Sequence, residues 1–211
     1  MKNILCFGDS NTYGYNPVSR TRYDYGVRWT GVLQKILGDG YRILEEGCNS
    51  RTTFIDDFAL PYKNAKDYIV PCLVSHAPLD LIVLMLGTND LKFRFNLTPK
   101  NVAKSMELLI NTIKSVDYDT FGKTPKILLV SPIKIDRDIE NVKYANYDLE
   151  SAEKSELLAD LYKEVATKTG CYFFDAGTVA KASKVDCLHM DQESHEKLAK
   201  SLKIEIEKIF I

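Results

Sequence analysis

The sequence predicts a three-layer α/β/α sandwich built on a five-stranded parallel sheet, and three observations lead there. Strand-type and helix-type patterns alternate along the chain, as βα units do when they build a parallel sheet with helices on both faces. The most apolar run, residues 79–86, is rich in Leu, Ile and Val with no polar alternation, as a central strand buried on both faces requires. With 211 residues the chain suits one domain, 1–211, large enough to bury a core without disulfide or metal staples.

Taken in order, residues 3–7 form the first strand, and 11–27, polar and aromatic, form a loop or broken turn. Residues 28–37 set Trp29, Val32, Leu33, Ile36 and Leu37 on one helical stripe, which Gly38 and Gly40 end. A second strand covers 41–45. Residues 48–62 lack periodicity and read as a long ordered loop. A shorter helix over 65–75 is interrupted or started by Pro71. The strand within 79–86 runs straight into Gly87-Thr88-Asn89-Asp90. Thr98 caps the next helix, through about Lys114, with Pro99 in its first turn. Residues 126–130 are the fourth strand. Residues 133–149 are long for a plain connection and suggest a flap. One helix is expected over 151–168, stopped by Gly170, then a short strand 172–174 ending in Asp175. A last helix, 192–209, aligns Leu198, Leu202, Ile206 and Ile209. Five such strands suit the flavodoxin-like order 2-1-3-4-5, whose topological switch point lies between the first and third strands, where open sheets of this kind bind ligands.

Bulk properties exclude several classes of partner. There are 28 Lys and Arg against 29 Asp and Glu, a net charge of -1, which argues against a general nucleic-acid or anionic-membrane surface. The five cysteines are scattered and odd in number, with no zinc-ligand spacing, so free thiols in a reducing cytoplasmic setting are the simplest reading. No apolar run approaches membrane-spanning length, and the apolar start is too short for a signal-peptide core. No metal and no cofactor is called for.

The chemistry centres on Gly8-Asp9-Ser10-Asn11, which follows the first strand at once. Gly8 permits a sharp turn, and the turn would put Ser10 at the carboxyl edge of the sheet. A plain helix cap is the alternative for a lone Gly-Asp-Ser. Asn89 follows the third strand and so flanks the same crevice. A nucleophilic serine needs a base and an orienting carboxylate. Of the three histidines, His76 reads as a cap or surface residue and His195 as an exposed position on the last helix. His189 lies in Asp186-Cys187-Leu188-His189, between the fifth strand and the last helix. An Asp-x-x-His turn can bring carboxylate and imidazole together, fixing the tautomer; a loop hydrogen bond without chemistry is the alternative. Tyr13, Tyr15 and Leu188 are candidate pocket walls, Tyr15 and Leu188 foremost. Trp29 belongs to the core end of its helix.

These blocks resemble the SGNH (GDSL) hydrolases. Gly8-Asp9-Ser10-Asn11 is similar to their first block, Gly87-Thr88-Asn89-Asp90 to the third and Asp186-Cys187-Leu188-His189 to the last, in family order across nearly the whole chain. Val27-Arg28-Trp29-Thr30-Gly31-Val32-Leu33, Glu45-Glu46-Gly47, Arg51-Thr52-Thr53 and Ile55-Asp56-Asp57 resemble the bacterial arylesterase/acyltransferase branch.

The resemblance implies a serine ester hydrolase working through an acyl-enzyme on short acyl or aryl esters, with acyl transfer to alcohols as a second outcome. It assigns Ser10 as nucleophile, His189 as general base and then acid, and Asp186 as orienting carboxylate. It builds an oxyanion hole from the Ser10 N–H, the Asn89 amide and an N–H of the second block. There the chain departs from the family glycine: Ser50 aligns most naturally, with Gly47 as the other option. Carbohydrate O-deacetylase, thioesterase or lysophospholipase activity would use the same machinery. The partner implied is a small-molecule ester. The branch contains homo-oligomers, for which the 48–62 loop offers a surface. A flavodoxin-like phosphate or nucleotide binder, or a non-catalytic interaction protein, would leave the Asp186/His189 pair without a role.

Overall fold

Strand β1 (Lys2–Gly8) shows how the sequence makes two cores at once. Its alternate residues Ile4 and Cys6 pack into one apolar cluster, and Leu5 and Phe7 into another on the opposite face, all four fully buried. The period of two that sends successive side chains to opposite faces therefore gives a run with no polar interruption. In the computed structural model, which describes residues 1–120, 122–142, 144 and 146–211, the remaining strands are β2 (Tyr41–Gly47), β3 (Leu81–Met85), β4 (Lys126–Ser131) and β5 (Tyr172–Asp175). All pair in parallel in the order β2-β1-β3-β4-β5, the order expected.

The helices, in chain order, are α1 (Ser10–Tyr13), α2 (Trp29–Leu37), α3 (Ala65–His76), α4 (Pro99–Lys114), α5 (Ile139–Val142), α6 (Leu149–Glu156), α7 (Leu158–Thr169) and α8 (Gln192–Phe210). On one face of the sheet α2 and α8 supply Trp29, Leu33, Leu198, Leu202 and Ile206, packed on Ile4, Val83 and Leu128. On the other face α3, α4 and α7 supply Ile69, Met106, Ile110 and Tyr162, packed on Leu5, Ile82 and Leu129. Register places Gly8 beside both Gly47 and Met85, so three strands end level and their following loops meet at one edge.

Three expectations need correction. Pro71 neither interrupts nor starts α3, which runs unbroken through it. Pro71 is exposed, while Ile69, Cys72 and Leu73 on the inner face hold the helix to the core. The helix expected over 151–168 is two helices that start at Leu149 and break at Leu157, which is exposed. The break lets Ala152 and Leu158 both bury, and the Ser155 hydroxyl accepts a hydrogen bond from the Ile135 N–H at 3.0 Å. His195 is fully buried, not exposed: Trp29 N–H donates to its Nδ1 at 3.3 Å, and the Tyr23 ring meets it edge-on. His76 closes α3 half-buried, 2.7 Å from a Glu46 carboxylate oxygen. No helix among the described residues is long and apolar enough to cross a membrane.

Candidate active site

Sterics at Gly8 place Ser10. A Cβ on Gly8 would lie 2.1 Å from Thr12 Oγ1 and 2.6 Å from the Met85 carbonyl, so only glycine lets β1 turn this tightly against β3. Asp9 then caps α1, its carboxylate accepting from the Asn11 N–H at 3.0 Å. Ser10 begins the helix at the carboxyl edge, 8% exposed. The cap reading and the functional reading therefore fall on different residues: Asp9 caps, and the Ser10 hydroxyl is left for other work.

The opposite wall comes from the loop before α8. Cys187 takes a positive φ of 59°, a sharp turn in which the Asp186 carboxylate accepts from the backbone N–H groups of Leu188 at 3.1 Å and His189 at 3.0 Å. Its other oxygen lies 2.6 Å from His189 Nδ1, and His189 Nε2 lies 2.8 Å from Ser10 Oγ. The three side chains thus form one continuous hydrogen-bonded line across 179 residues of sequence separation. Burial works to raise the Asp186 pKa, but the hydrogen bonds and charge of His189 and the two N–H groups outweigh it and hold the carboxyl below its usual value. It stays ionised where an imidazolium would need it.

Asn89 stands in a one-turn 3-10 helix, Thr88–Leu91, directly after β3. Gly87 before it has φ 124°, open to glycine, and a Cβ there would strike the Tyr162 hydroxyl at 2.3 Å. Ser50 follows β2 with φ 66°, the left-handed region where glycine is relaxed and serine strained. Ser10, Ser50, Asn89, Tyr15, Leu188 and His189 all line one cleft of about 260 Å3. Gly47 ends β2 in register with Gly8, and a Cβ on it would collide with the backbone of Tyr13. Tyr13 is not a wall: it lies outside the cleft under the Arg22 guanidinium. Tyr15 packs its ring 4.4 Å from that of His189.

The sequence model of the GDSL-like Lipase/Acylhydrolase family matches residues 6–197. This chain belongs to that family. Among solved structures, an aryl esterase of M. smegmatis superposes with a TM-score of 0.94 at 36% identity, covering 99% of both chains. A carbohydrate acetylesterase family member from Sinorhizobium meliloti gives 0.93 at 36% identity, again over 99% of both. The acetylxylan esterase of Xylanibacter ruminicola is 27% identical over 93% of this chain and 41% of that protein. The chain therefore spans about two fifths of the length of that curated relative.

Within this GDSL-like fold, several residues at the site escaped sequence reasoning. Asn11 bridges the two walls: its side-chain carbonyl accepts from the Met190 N–H at 2.9 Å, and its amide donates to the Leu188 carbonyl at 3.4 Å. The signal was its place beside Ser10, overshadowed by the serine. Tyr147, within the 133–149 segment, donates its hydroxyl to Asn89 Oδ1 at 3.1 Å. Asn89 Nδ2 is buried and, among the described residues, has no partner. Tyr144, Asn146 and Tyr147 line the cleft, so this segment does cover the site as expected of a flap; Lys143 and Ala145 fall outside the described residues. The branch-like motifs turn out to be scaffolding. Arg28 grips Glu45 with two hydrogen bonds of 2.6 and 2.7 Å, Arg51 donates to the Gly8 carbonyl at 3.0 Å, and Thr53 N–H donates to the Asp90 carboxylate at 3.1 Å.

Asp9 and Asp90 lie beneath the site, and burial lifts both carboxyls to a pKa of about 6. Of groups able to offer metal ligands, Glu46, Cys72 and His76 come within 4.8 Å of one another. The Cys72 thiol is pushed up to about 12 by burial, the His76 and Glu46 side chains already pair, and none of the three lines the cleft.

Proposed function

We propose that the chain, as one domain over 1–211, is a serine carboxylic ester hydrolase acting on short-chain acyl or aryl esters. The observation that carries this reading is the line Asp186–His189–Ser10, which shares one cleft with an Asn89 amide nitrogen that is buried and, among the described residues, without a partner. His189 Nε2 takes the proton from Ser10 Oγ as the oxygen attacks the ester carbonyl. Charge then builds on the carbonyl oxygen, and the Asn89 amide, the Ser10 N–H and the Ser50 N–H are the donors assigned to it. His189 returns its proton to the departing alcohol, leaving an acyl-enzyme. Water repeats the sequence and releases the acid. Asp186 orients the imidazole throughout and faces the positive charge it acquires.

Tyr15 and Tyr144, with rings 4.4 and 5.9 Å from the imidazole, crowd the nucleophile, which favours small acyl groups such as acetyl. Release of acetyl from a carbohydrate fits the same machinery. Its support is the likeness to the S. meliloti and X. ruminicola proteins, and a cleft lined by Asn49 and Asn146 as well as apolar residues. Free thiols at all five cysteines suit the reducing cytoplasm. A phosphate or nucleotide binder would give the Asp186–His189 pair no task. The test is a panel of acyl esters of increasing chain length with Ser10→Ala as control. Turnover of acetyl and propionyl esters that falls with length and vanishes in the control is expected; no turnover of any ester would reject the reading.

A further inference from the structure

The His189 imidazole apart, the cleft has two ionisable side chains of fixed charge, Lys92 and Arg94, and both are cations. Lys92 is 4% exposed, and among the described residues its Nζ has no hydrogen-bond partner. The nearest carboxylate oxygen, Asp57 Oδ2, is 3.6 Å away, too far for a hydrogen bond, and the Arg94 guanidinium already holds that oxygen. Arg94 Nε is also buried and unpartnered. Two cations thus share one carboxylate, whose own side chain is fully buried. Burial and the neighbouring Arg94 charge push the Lys92 pKa below its usual value, against the opposing pull of Asp57 and Asp90.

Arg28 has the Glu45 carboxylate to itself, with two hydrogen bonds, whereas Lys92 and Arg94 divide a single carboxylate between them. A buried ammonium that shares its carboxylate and makes no hydrogen bond is poorly compensated, and a ligand that brings a second acceptor would improve it. We propose that Lys92 and Arg94 bind an anionic group, carboxylate or phosphate, carried on the alcohol portion of the ester. The proposal rests on Ser10 being the nucleophile. It falls on the alcohol portion because the acyl groups proposed for this site, acetyl and propionyl, carry no charge.

Three acetyl esters of matched leaving groups test this: 4-acetoxybenzamide, neutral, 4-acetoxybenzoate, carrying a carboxylate, and 4-acetoxyphenyl phosphate. Wild-type kcat/KM for at least one anionic ester should exceed that for the neutral one by about tenfold or more, roughly the worth of one charge-assisted hydrogen bond. The ratio should shrink toward one as salt rises and in Lys92→Gln. Which anionic ester gains most separates carboxylate from phosphate. A wild-type ratio near one at low salt overturns the proposal. A ratio kept in a folded Lys92→Gln and in Arg94→Gln, judged by circular dichroism, also overturns it. Labelling of wild-type Ser10 by a fluorophosphonate distinguishes the two failures: labelled protein without an anionic preference rejects this inference alone, and unlabelled protein rejects the hydrolase reading beneath it.

Discussion

The Tyr147 hydroxyl donates to Asn89 Oδ1 at 3.1 Å, while the Asn89 amide nitrogen is buried and, among the described residues, unpartnered in the cleft that Ser10 also lines. An asparagine amide can flip; the Tyr147 hydrogen bond to Oδ1 favours the orientation that leaves the amide nitrogen free before substrate arrives. Preorganisation of this kind is what makes an oxyanion donor effective.

Asn89→Ala should therefore lower kcat by roughly 100- to 1000-fold, the loss typical of one oxyanion donor. Tyr147→Phe should lower kcat by less, with KM nearly unchanged, since the amide remains but is free to turn. Circular dichroism should show both variants folded. Full activity in a folded Asn89→Ala would place the hole elsewhere, in backbone N–H groups around Ser50.

Ser10 is the expected site of covalent labelling. Peptide mass spectrometry after organophosphate treatment should find the adduct there, 2.8 Å from the His189 nitrogen that activates it. An adduct on Ser50, which also lines the cleft, or on Ser131 at the end of β4, would overturn the assignment.

Asp186→Asn should preserve the fold yet reduce kcat by about 10,000-fold, as loss of an orienting carboxylate does by favouring the wrong imidazole tautomer. The Leu188 and His189 N–H groups can still bond the amide oxygen, so the loop should hold its shape. A fall of less than about tenfold would mean that the Asp186–His189 contact is a loop hydrogen bond only.

Burial depresses the His195 pKa to about 3 in the folded protein, from 6.5. The folded state then binds fewer protons than the unfolded one. The stability this contributes is present above pH 6.5 and lost as pH falls from there toward 3. Asp9 and Asp90, raised to about 6, act in the opposite sense over an overlapping range, so the comparison must isolate His195. His195→Gln keeps an acceptor for the Trp29 N–H and removes the titration. Its Tm should fall less steeply than that of wild type between pH 6.5 and 4; parallel curves would refute the effect.

Acyl transfer can be read from product partitioning. With an aryl acetate donor in water and a rising concentration of a short primary alcohol, a measurable share of acetyl should appear as the new ester. Hydrolysis should still dominate, because Asn49, Asn146 and Lys92 in the cleft wall retain water near the acyl-enzyme. Ester no greater than the uncatalysed background, with rapid acid release, would leave a plain hydrolase.

Much of this was legible in the sequence because the relevant physics is local. The uninterrupted apolar residues of β1 and β3 encode a sheet covered on both faces, and the alternation with helices encodes parallel strands. Strand–Gly–Asp–Ser and Asp-x-x-His are short enough that backbone turns alone bring their members to one sheet edge. Thr98, Pro99 and Gly170 mark helix ends by chemistry that acts within one turn.

Only tertiary structure decided the rest, since it depends on which surfaces meet. His195 has the polar spacing of an exposed helix residue, but α2 and Tyr23 close over it. Pro71 keeps its helix because it sits on the exposed face while Ile69, Cys72 and Leu73 beside it bury. Tyr13 and Tyr15 are two residues apart, yet only Tyr15 reaches the cleft, because α1 ends at Tyr13 and the chain turns at Gly14, φ 83°. Tyr147, Lys92 and Arg94 carry no motif that marks them, and Asn11 stands in the Gly8–Asn11 block with only Ser10 beside it to draw notice. Their meaning lies in partners tens to more than a hundred residues away, met only when the chain has folded: an Asn89 that Tyr147 bonds, a Met190 that Asn11 anchors, and an Asp57 that Lys92 and Arg94 must share.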